Sequence, residues 1–318
     1  MPSEGDVVLA LDVGGSLVKT AVVGPGRLDV QRLPTATASE PWNVERLERI
    51  AADLHAAAVR TGATPACLVV AVPGQVDEYH GAVQYSATLP WHDVAVADRL
   101  GAVVPVPVVV RHAVRVAALG EANLRAASVV EGTLLFVSIG ASIVAAGASS
   151  GIVVADHVGA GDLGGMRIRS GPTSGLALDE VASTTAIARR YAEASGVAVD
   201  SVDAADVHRA LATDPVARQV WDEAVDALAD GLEWSLLLFA PRAVVIGGGL
   251  VNAGDDLMNP LIAGVTRRLE EHAIPDIRAA AFGDDAGLVG AALAGWRKLG
   301  WPVETLRAVF AARFENRE

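Results

Sequence analysis

Two short stretches hold residues whose types and spacing could do chemistry. In LALDVGGSLVKTAVV, Asp12 closes an apolar run, a Gly-Gly-Ser turn follows, and Lys19 stands a few residues on. Gly14 and Gly15 leave the backbone bare, so its N–H groups can approach a polyphosphate closely, and Ser16 adds a hydroxyl donor. Asp12 could hold Mg²⁺ through water, with Lys19 as a nearby positive charge. A plain glycine-rich hairpin turn fits the same residues. In PVPVVVRHAVRVAAL, Arg111 and His112 end a second apolar strand, at the carboxyl edge where open α/β sheets keep their ligands. Beside Arg111 and at a helix N-terminus, protonation of His112 is disfavoured, which leaves a neutral nitrogen able to accept a proton. Arg111 could steady a transferring anionic group. A third stretch, PRAVVIGGGLVNAGDDL, runs a strand into Gly247, Gly248 and Gly249 and then a helix, which offers bare backbone and helix N–H groups to a ligand.

The elements that must position these residues follow from periodicity. VVLALDVGGSLVKTAVVGPGRLDVQRL gives three β runs, followed by a helix from about 42 to 61, a buried strand ACLVVAVPG, the strand PVPVVV and a helix over 112–126. The second half repeats the theme. TLLFVSIGASIVAAGASSGIVVADHVG gives three more β runs, then helices at about 176–195, 203–212 and 215–239, the strand RAVVIGGG, a helix near 256–271, the strand IRAAAF and helices at 285–297 and 302–315. Two β-meanders, each continuing as α/β, imply an internal duplication and two lobes. The first covers residues 1–112 plus a C-terminal helix within 296–318, and the second covers 113–295. A cleft between such lobes is a natural ligand site.

Composition narrows the partners. The net charge of −13 disfavours nucleic acid and anionic membrane surfaces, so an anionic cosubstrate needs a local nest of N–H groups. The single cysteine, Cys67, lies in an apolar run. It excludes an internal disulfide and a cysteine-based zinc cluster, fits a reducing compartment, and reads as a buried structural thiol. The acidic MPSEGDVV is not a signal peptide, and the most apolar region is broken by Glu233, Pro241 and Arg242. The expectation is a soluble cytoplasmic protein.

Taken together and in order, DVGGSLVKTAVV, AVPGQVDEYHGAV, TLPW, AALGEA, GAGDLGGM, LDEVAS, VVIGGG and DDAGLVGAALA resemble the ROK family of bacterial sugar kinases and related repressors. The resemblance implies a two-lobe, actin-like ATPase (ribonuclease H-like) α/β fold with duplicated βββαβαβα units. It implies ATP and Mg²⁺ as cosubstrate and cofactor, a sugar partner and a homodimer. Asp12, Gly14, Gly15 and Ser16 would belong to the phosphate and Mg²⁺ site, Gly247, Gly248 and Gly249 to the adenosine site, and Gly74 to the loop that approaches the sugar. No helix-turn-helix precedes Asp12, which disfavours the repressor branch.

The departures from that pattern cluster on the acceptor side. The family carries Asn-Asp, the Asp acting as base on the acceptor hydroxyl, where this chain has Arg111 and His112. Asp162 and Asp179 stand at sugar-binding Glu positions, Thr88 replaces an Asn, and Gly165 replaces a His that binds sugar and zinc. The zinc loop lacks its three cysteines, so no zinc site is expected. Gly140 is kept, but Ala141 and Ser142 replace the rest of a second phosphate loop. Two readings follow. In one, the chain is a kinase for an altered acceptor, such as a hexose, an amino sugar or a C7-cyclitol, with His112 as weak base or positioning group. In the other, it is an inactive relative that binds nucleotide or sugar and regulates. His80 and His92, which flank the acceptor loop, read as surface or supporting residues, His157 as one that could face the cleft although nothing fixes it there, Glu121 as a capping or packing residue, Asp77 as a loop-holding residue, and Asp284 and Asp285 as caps of the following helix.

Overall fold

The structure is a computed structural model that describes residues 1–35, 42–124, 132–149, 152–153 and 157–314. The chain divides into two compact units, Met1–Val129 with Gly151–Ala160 and Asp285–Glu318, and Val130–Ser150 with Gly161–Asp284.

In the first unit, β1 (Asp6–Val13), β2 (Leu17–Gly24) and β3 (Arg27–Pro34) form an antiparallel meander. The helix α1 (Val44–Arg60) is capped by Asn43, whose side chain accepts from the N–H of Arg46 at 2.9 Å. The strand β4 (Thr64–Val72) then pairs parallel to β1. Three short strands not anticipated from the sequence, β5 (Gln75–Asp77), β6 (Ala82–Tyr85) and β7 (His92–Val94), form a separate antiparallel sheet. The chain continues through α2 (Val96–Gly101) and β8 (Val108–His112) into α3 (Ala113–Leu124), giving the main sheet order β3-β2-β1-β4-β8. The expected end of α3 at 126, and residues 315–318 at the C-terminus, lie outside the described residues.

The second unit contains β9 (Thr133–Ile139) and β10 (Ile143–Ser149). After β11 (Ile152–Val153), a two-residue strand of the first unit that lies against α3, come α4 (Leu178–Ala182), α5 (Thr184–Ser195), α6 (Ala204–Ala210), α7 (Pro215–Phe239), β12 (Ala243–Gly247), α8 (Asp255–Leu269) and β13 (Asp276–Ala279). The order β10-β9-β12-β13 repeats β2-β1-β4-β8, which bears out the duplication. The single helix expected over 176–195 is two helices. Ser183 adopts an extended ψ of 155°, and its hydroxyl caps α5 by accepting from the N–H of Ala186 at 3.1 Å.

The lobe boundary expected at residue 112 also differs. Helix α3 and the helix α9 (Ala286–Lys298) both pack in the first unit, joined there by α10 (Val303–Phe314), which buries Leu306 and Phe310. The cause is close contact at two glycines of α9, with backbone at Gly290 and with side chains at Gly295. A Cβ on Gly290 of α9 would lie 1.9 Å from the carbonyl oxygen of Val116 in α3, and one on Gly295 would lie 2.5 Å from Val8 Cγ1 of β1. Helices that touch this closely form one body. Cys67 is fully buried in this layer, and burial pushes its thiol up to about 11, so it is an inert structural thiol. Among the described residues no helix is long and apolar enough to cross a membrane.

Replacing Gly290 with Ala should therefore cost roughly 2–3 kcal/mol in urea unfolding. Gly101→Ala, whose added methyl meets nothing within 4 Å, should stay within about 0.5 kcal/mol of the parent. Equal effects of the two changes would contradict the packing role of Gly290.

Candidate functional site

The first unit builds a row of residues at the carboxyl ends of its parallel strands. Asp12 pairs with Ala71, Ala71 with Arg111, and Val72 with His112. Two strand spacings put the Cα atoms of Asp12 and Arg111 roughly 10 Å apart. Asp12 is 14% exposed and lies 3.8 Å from Lys19 Nζ. The first turn of α9 comes down directly on it: a Cβ on Gly287 would meet both carboxylate oxygens at 2.6 Å. The adjoining turn is tied by Gly14 N–H to Leu17 C=O at 2.8 Å and by the Thr35 hydroxyl to Gly14 C=O at 2.8 Å, while Gly15 and Ser16 stay exposed. Asp285 heads α9, but its carboxylate does not cap the helix as expected. Arg32 takes it instead, at 2.5 and 2.7 Å.

The small sheet brings the loop that carries Thr88 to this turn. The point above Gly15 where a Cβ would sit is 3.9 Å from Thr88 Cβ, and the Thr88 hydroxyl is 3.2 Å from Ser86 Oγ. Gly74 has φ 111°, and a side chain there would overlap the carbonyl oxygen of Tyr85 at 2.3 Å, so only glycine lets this loop close. Asp77 holds the β5–β6 turn by accepting from the N–H groups of Tyr79 and His80, at 3.1 and 3.0 Å, and from the His80 ring.

Arg111 and His112 differ from each other in their surroundings. His112 is 5% exposed, its Nδ1 lies 3.4 Å from the N–H of Arg115, and burial, with a smaller contribution from Arg115, pushes its pKa down to about 4. It is neutral at pH 7, but it owes this to burial, and the charge beside it is that of Arg115. Arg111 is 35% exposed, donates to its own strand at Val110 C=O (3.1 Å), and pairs with Glu78 at 3.6 Å. Glu78 and Arg115 were not singled out from the sequence. Arg115 is buried, pairs with Glu78 at 3.5 Å and donates to His157 C=O. The available signal was a second arginine within an apolar run, since a buried guanidinium requires a counter-charge.

The second unit gathers the remaining residues. Gly140, Ala141 and Ser142 form the β9–β10 turn, and Asp179 secures it by accepting from the N–H of Ile143 at 2.7 Å. Burial raises the Asp179 pKa to about 6; the Ile143 N–H opposes this and the exposed Asp162 adds to it. Of the three glycines that end and follow β12, Gly247 makes room for the Phe136 ring. Gly248 has φ 82° and lies against Ile139 C=O, so Gly249 alone of the three has open space before it.

A model of the ROK family matches residues 8–296. The chain belongs to the ROK family. A glucokinase of Halalkalibacterium halodurans is 30% identical over 253 residues, covering 70% of this chain and 73% of its own length. A glucokinase of Thermotoga maritima is 27% identical over 313 residues, covering 90% and 96%. A solved ROK hexokinase from Thermus thermophilus superposes with a TM-score of 0.77 at 27% identity, covering 92% of this chain and 99% of that one. The α/β fold is thus that of the actin-like ATPases, as the ROK motifs implied.

His112 makes stability depend on pH. Its folded pKa of about 4 lies below the ordinary 6.5, so the unfolded state binds more protons between those values. Stability from the neutral ring is complete above about pH 6.5 and is lost as pH falls toward 4, by about 3 kcal/mol. Asp179, raised to about 6, acts with the opposite sign, favouring the fold below its unfolded value of 3.8 and losing that effect as pH rises through 6. The difference in unfolding free energy between the parent and His112→Asn, followed from pH 7 to pH 4, isolates the histidine. It should shrink toward acid; a difference that does not change with pH would show that the ring protonates freely in the folded protein.

Proposed function

We propose that the chain catalyses ATP-dependent phosphoryl transfer to a hydroxyl of a sugar or sugar-like polyol, with an acceptor site altered from that of its relatives. The observation that carries this reading is the row from Asp12 to Arg111 beside the open Gly14–Gly15–Ser16 turn. It supplies a carboxylate, bare N–H groups and a guanidinium within roughly two strand spacings. The residues fit a magnesium ion, because such a cation keeps most of its waters and needs one or two carboxylates beside the phosphates. Asp12 would hold it, under the first turn of α9. When bound, magnesium offsets the charge on the transferring phosphoryl group. Gly15, Ser16 and Lys19 would bind phosphate oxygens, while Gly14 and Gly140, whose N–H groups are taken by Leu17 C=O and Ser142 C=O, would shape the two turns rather than donate to phosphate as the resemblance implied. Gly249 would admit the adenosine, and Gly247 and Gly248 would shape that turn.

On the acceptor side, Gly74 and Thr88 would line one wall, and Asp162 and Asp179 would accept hydroxyl hydrogens. Arg111 would steady the transferring group, and His112 would position the first turn of α3 rather than carry full charge. Hexoses, amino sugars and C7-cyclitols are the acceptors this reading covers. It includes a cytoplasmic setting and a homodimer, for which Trp234, Leu237, Leu238 and Phe239 leave an exposed apolar end on α7. A second reading, a regulatory protein that binds nucleotide or sugar without turnover, is favoured by one observation: the residue at position 112 is a buried, weakly basic histidine.

Incubation with ATP, magnesium and a polyol library, read by mass spectrometry, separates the two. A phosphorylated sugar or cyclitol should form, and Asp12→Ala should reduce it by roughly 100-fold or more. Thermal stabilisation by ATP with no phosphorylated product from any acceptor would favour the regulatory reading.

A further inference from the structure

The pair at positions 111 and 112 leaves one step of the transfer without an agent, the removal of the proton from the acceptor hydroxyl. His112 is badly placed for it, since its ring is buried and Nδ1 faces the N–H of Arg115. Arg111 has no lone pair to offer. A carboxylate reaches the same place from another element. Glu78 sits in the β5–β6 turn, immediately after the Asp77 whose three interactions fix that turn. Its Oε1 accepts the backbone N–H of His112 at 3.0 Å and lies 3.5 Å from Arg115 Nη1. Its Oε2 lies 3.6 Å from Arg111 Nε, beyond hydrogen-bond length. One oxygen is therefore committed to holding the side chain at the start of α3, and the other keeps its hydrogen-bonding capacity. The side chain is 26% exposed, whereas that of Arg115 behind it is 4% exposed.

We propose that Glu78 is the catalytic base of this chain, a carboxylate delivered from the β5–β6 turn to the strand end where His112 stands. This rests on the phosphotransferase reading above. Glu78 Oε2 takes the proton of the acceptor hydroxyl as that oxygen bonds to the γ-phosphorus of ATP. The bond from that phosphorus to the β–γ bridging oxygen breaks, ADP leaves with the electron pair, and the proton passes from Glu78 to water. Arg115 and the N–H of His112 hold the carboxylate in place, and Arg111 lies on the side of the working oxygen. The change at position 112 thereby moves the base to a neighbouring turn without removing it from the site. It also shifts the base relative to the acceptor, in keeping with an acceptor whose hydroxyl is placed differently.

The test uses the full chain, ATP, magnesium and whichever acceptor the library identifies. Glu78→Gln keeps the shape and can still accept the N–H of His112, but it cannot take a proton. Its melting temperature should fall, because Arg115 loses its counter-charge, but below that transition its kcat should fall by about 100-fold or more while the Kd for ATP stays within twofold. Glu78→Asp withdraws the oxygen by one methylene and should fall between the parent and Glu78→Gln. If Glu78→Gln does not melt cooperatively, Glu78→Asp decides: parental kcat in that variant overturns the assignment. A Glu78→Gln enzyme working within threefold of the parent overturns the role of Glu78 alone. No product from the parent on any acceptor overturns the phosphotransferase reading, and the role of Glu78 with it.

Discussion

Helix α9 can lie where it does because three of its residues have no side chain. Gly287 lets its first turn descend on Asp12, Gly290 lets it touch the backbone of α3, and Gly295 seats it on β1 and β4. Each contact is closer than any Cβ would permit: Gly290 meets backbone, whereas Gly287 meets the Asp12 carboxylate and Gly295 the side chains of Val8, Val69 and Cys67. The Gly290 contact, backbone on backbone, cannot be relieved by a rotamer change and fixes α9 against α3. The row from Asp12 through Ala71 to Arg111 inherits that rigidity, because β1, β4 and β8 are held in one register under α9 and α3.

The Arg111–His112 end of the row follows a different principle, the balance of charge in a partly buried space. Arg115 is almost fully buried and brings a positive charge into the first turn of α3, where His112 is also buried. Burial, with a smaller contribution from Arg115, keeps the imidazole neutral, and the guanidinium takes Glu78 as its counter-charge. Removing one partner of such a pair leaves the other uncompensated, which is worth several kcal/mol. These residues therefore behave as one set, and a change at position 112 makes physical sense only with Glu78 and Arg115 in view. The turn at Gly15 and Ser16 has no such charged set and stays exposed.

Much of this was legible in the sequence. The two meanders, the helix 215–239 with Asp214 before its first-turn Pro215, and the strand-to-glycine turns follow from periodicity and local capping, which depend on near neighbours. The glycine turns and the Arg111–His112 pair lie at strand ends, where the sequence put them. What escaped was of longer range. Glu78 and His112 are 34 residues apart and meet only because a three-stranded sheet of very short strands folds the loop back. Strands of three and four residues carry too little alternation to register. The place of α3 and α9 in one body depends on Gly120 and Gly290 meeting, a matter of tertiary contact invisible to a window along the chain. The break at Ser183 was hidden because Ser sits comfortably within an apolar helical pattern until its hydroxyl is needed as a cap. In the same way Asp285 read as a cap, although Arg32, 253 positions away, claims its carboxylate.

The central claim is that a phosphate and metal site at Asp12 persists while the acceptor side has been rebuilt. Its most direct test is calorimetric titration of a non-hydrolysable ATP analogue into the purified chain, with and without magnesium, for the parent and for Asp12→Asn. The predicted result is binding that magnesium tightens by about tenfold or more in the parent and leaves nearly unchanged in the variant, in line with charge-assisted coordination by one carboxylate. Absence of binding under both conditions, or an equal magnesium effect in the two proteins, would contradict it.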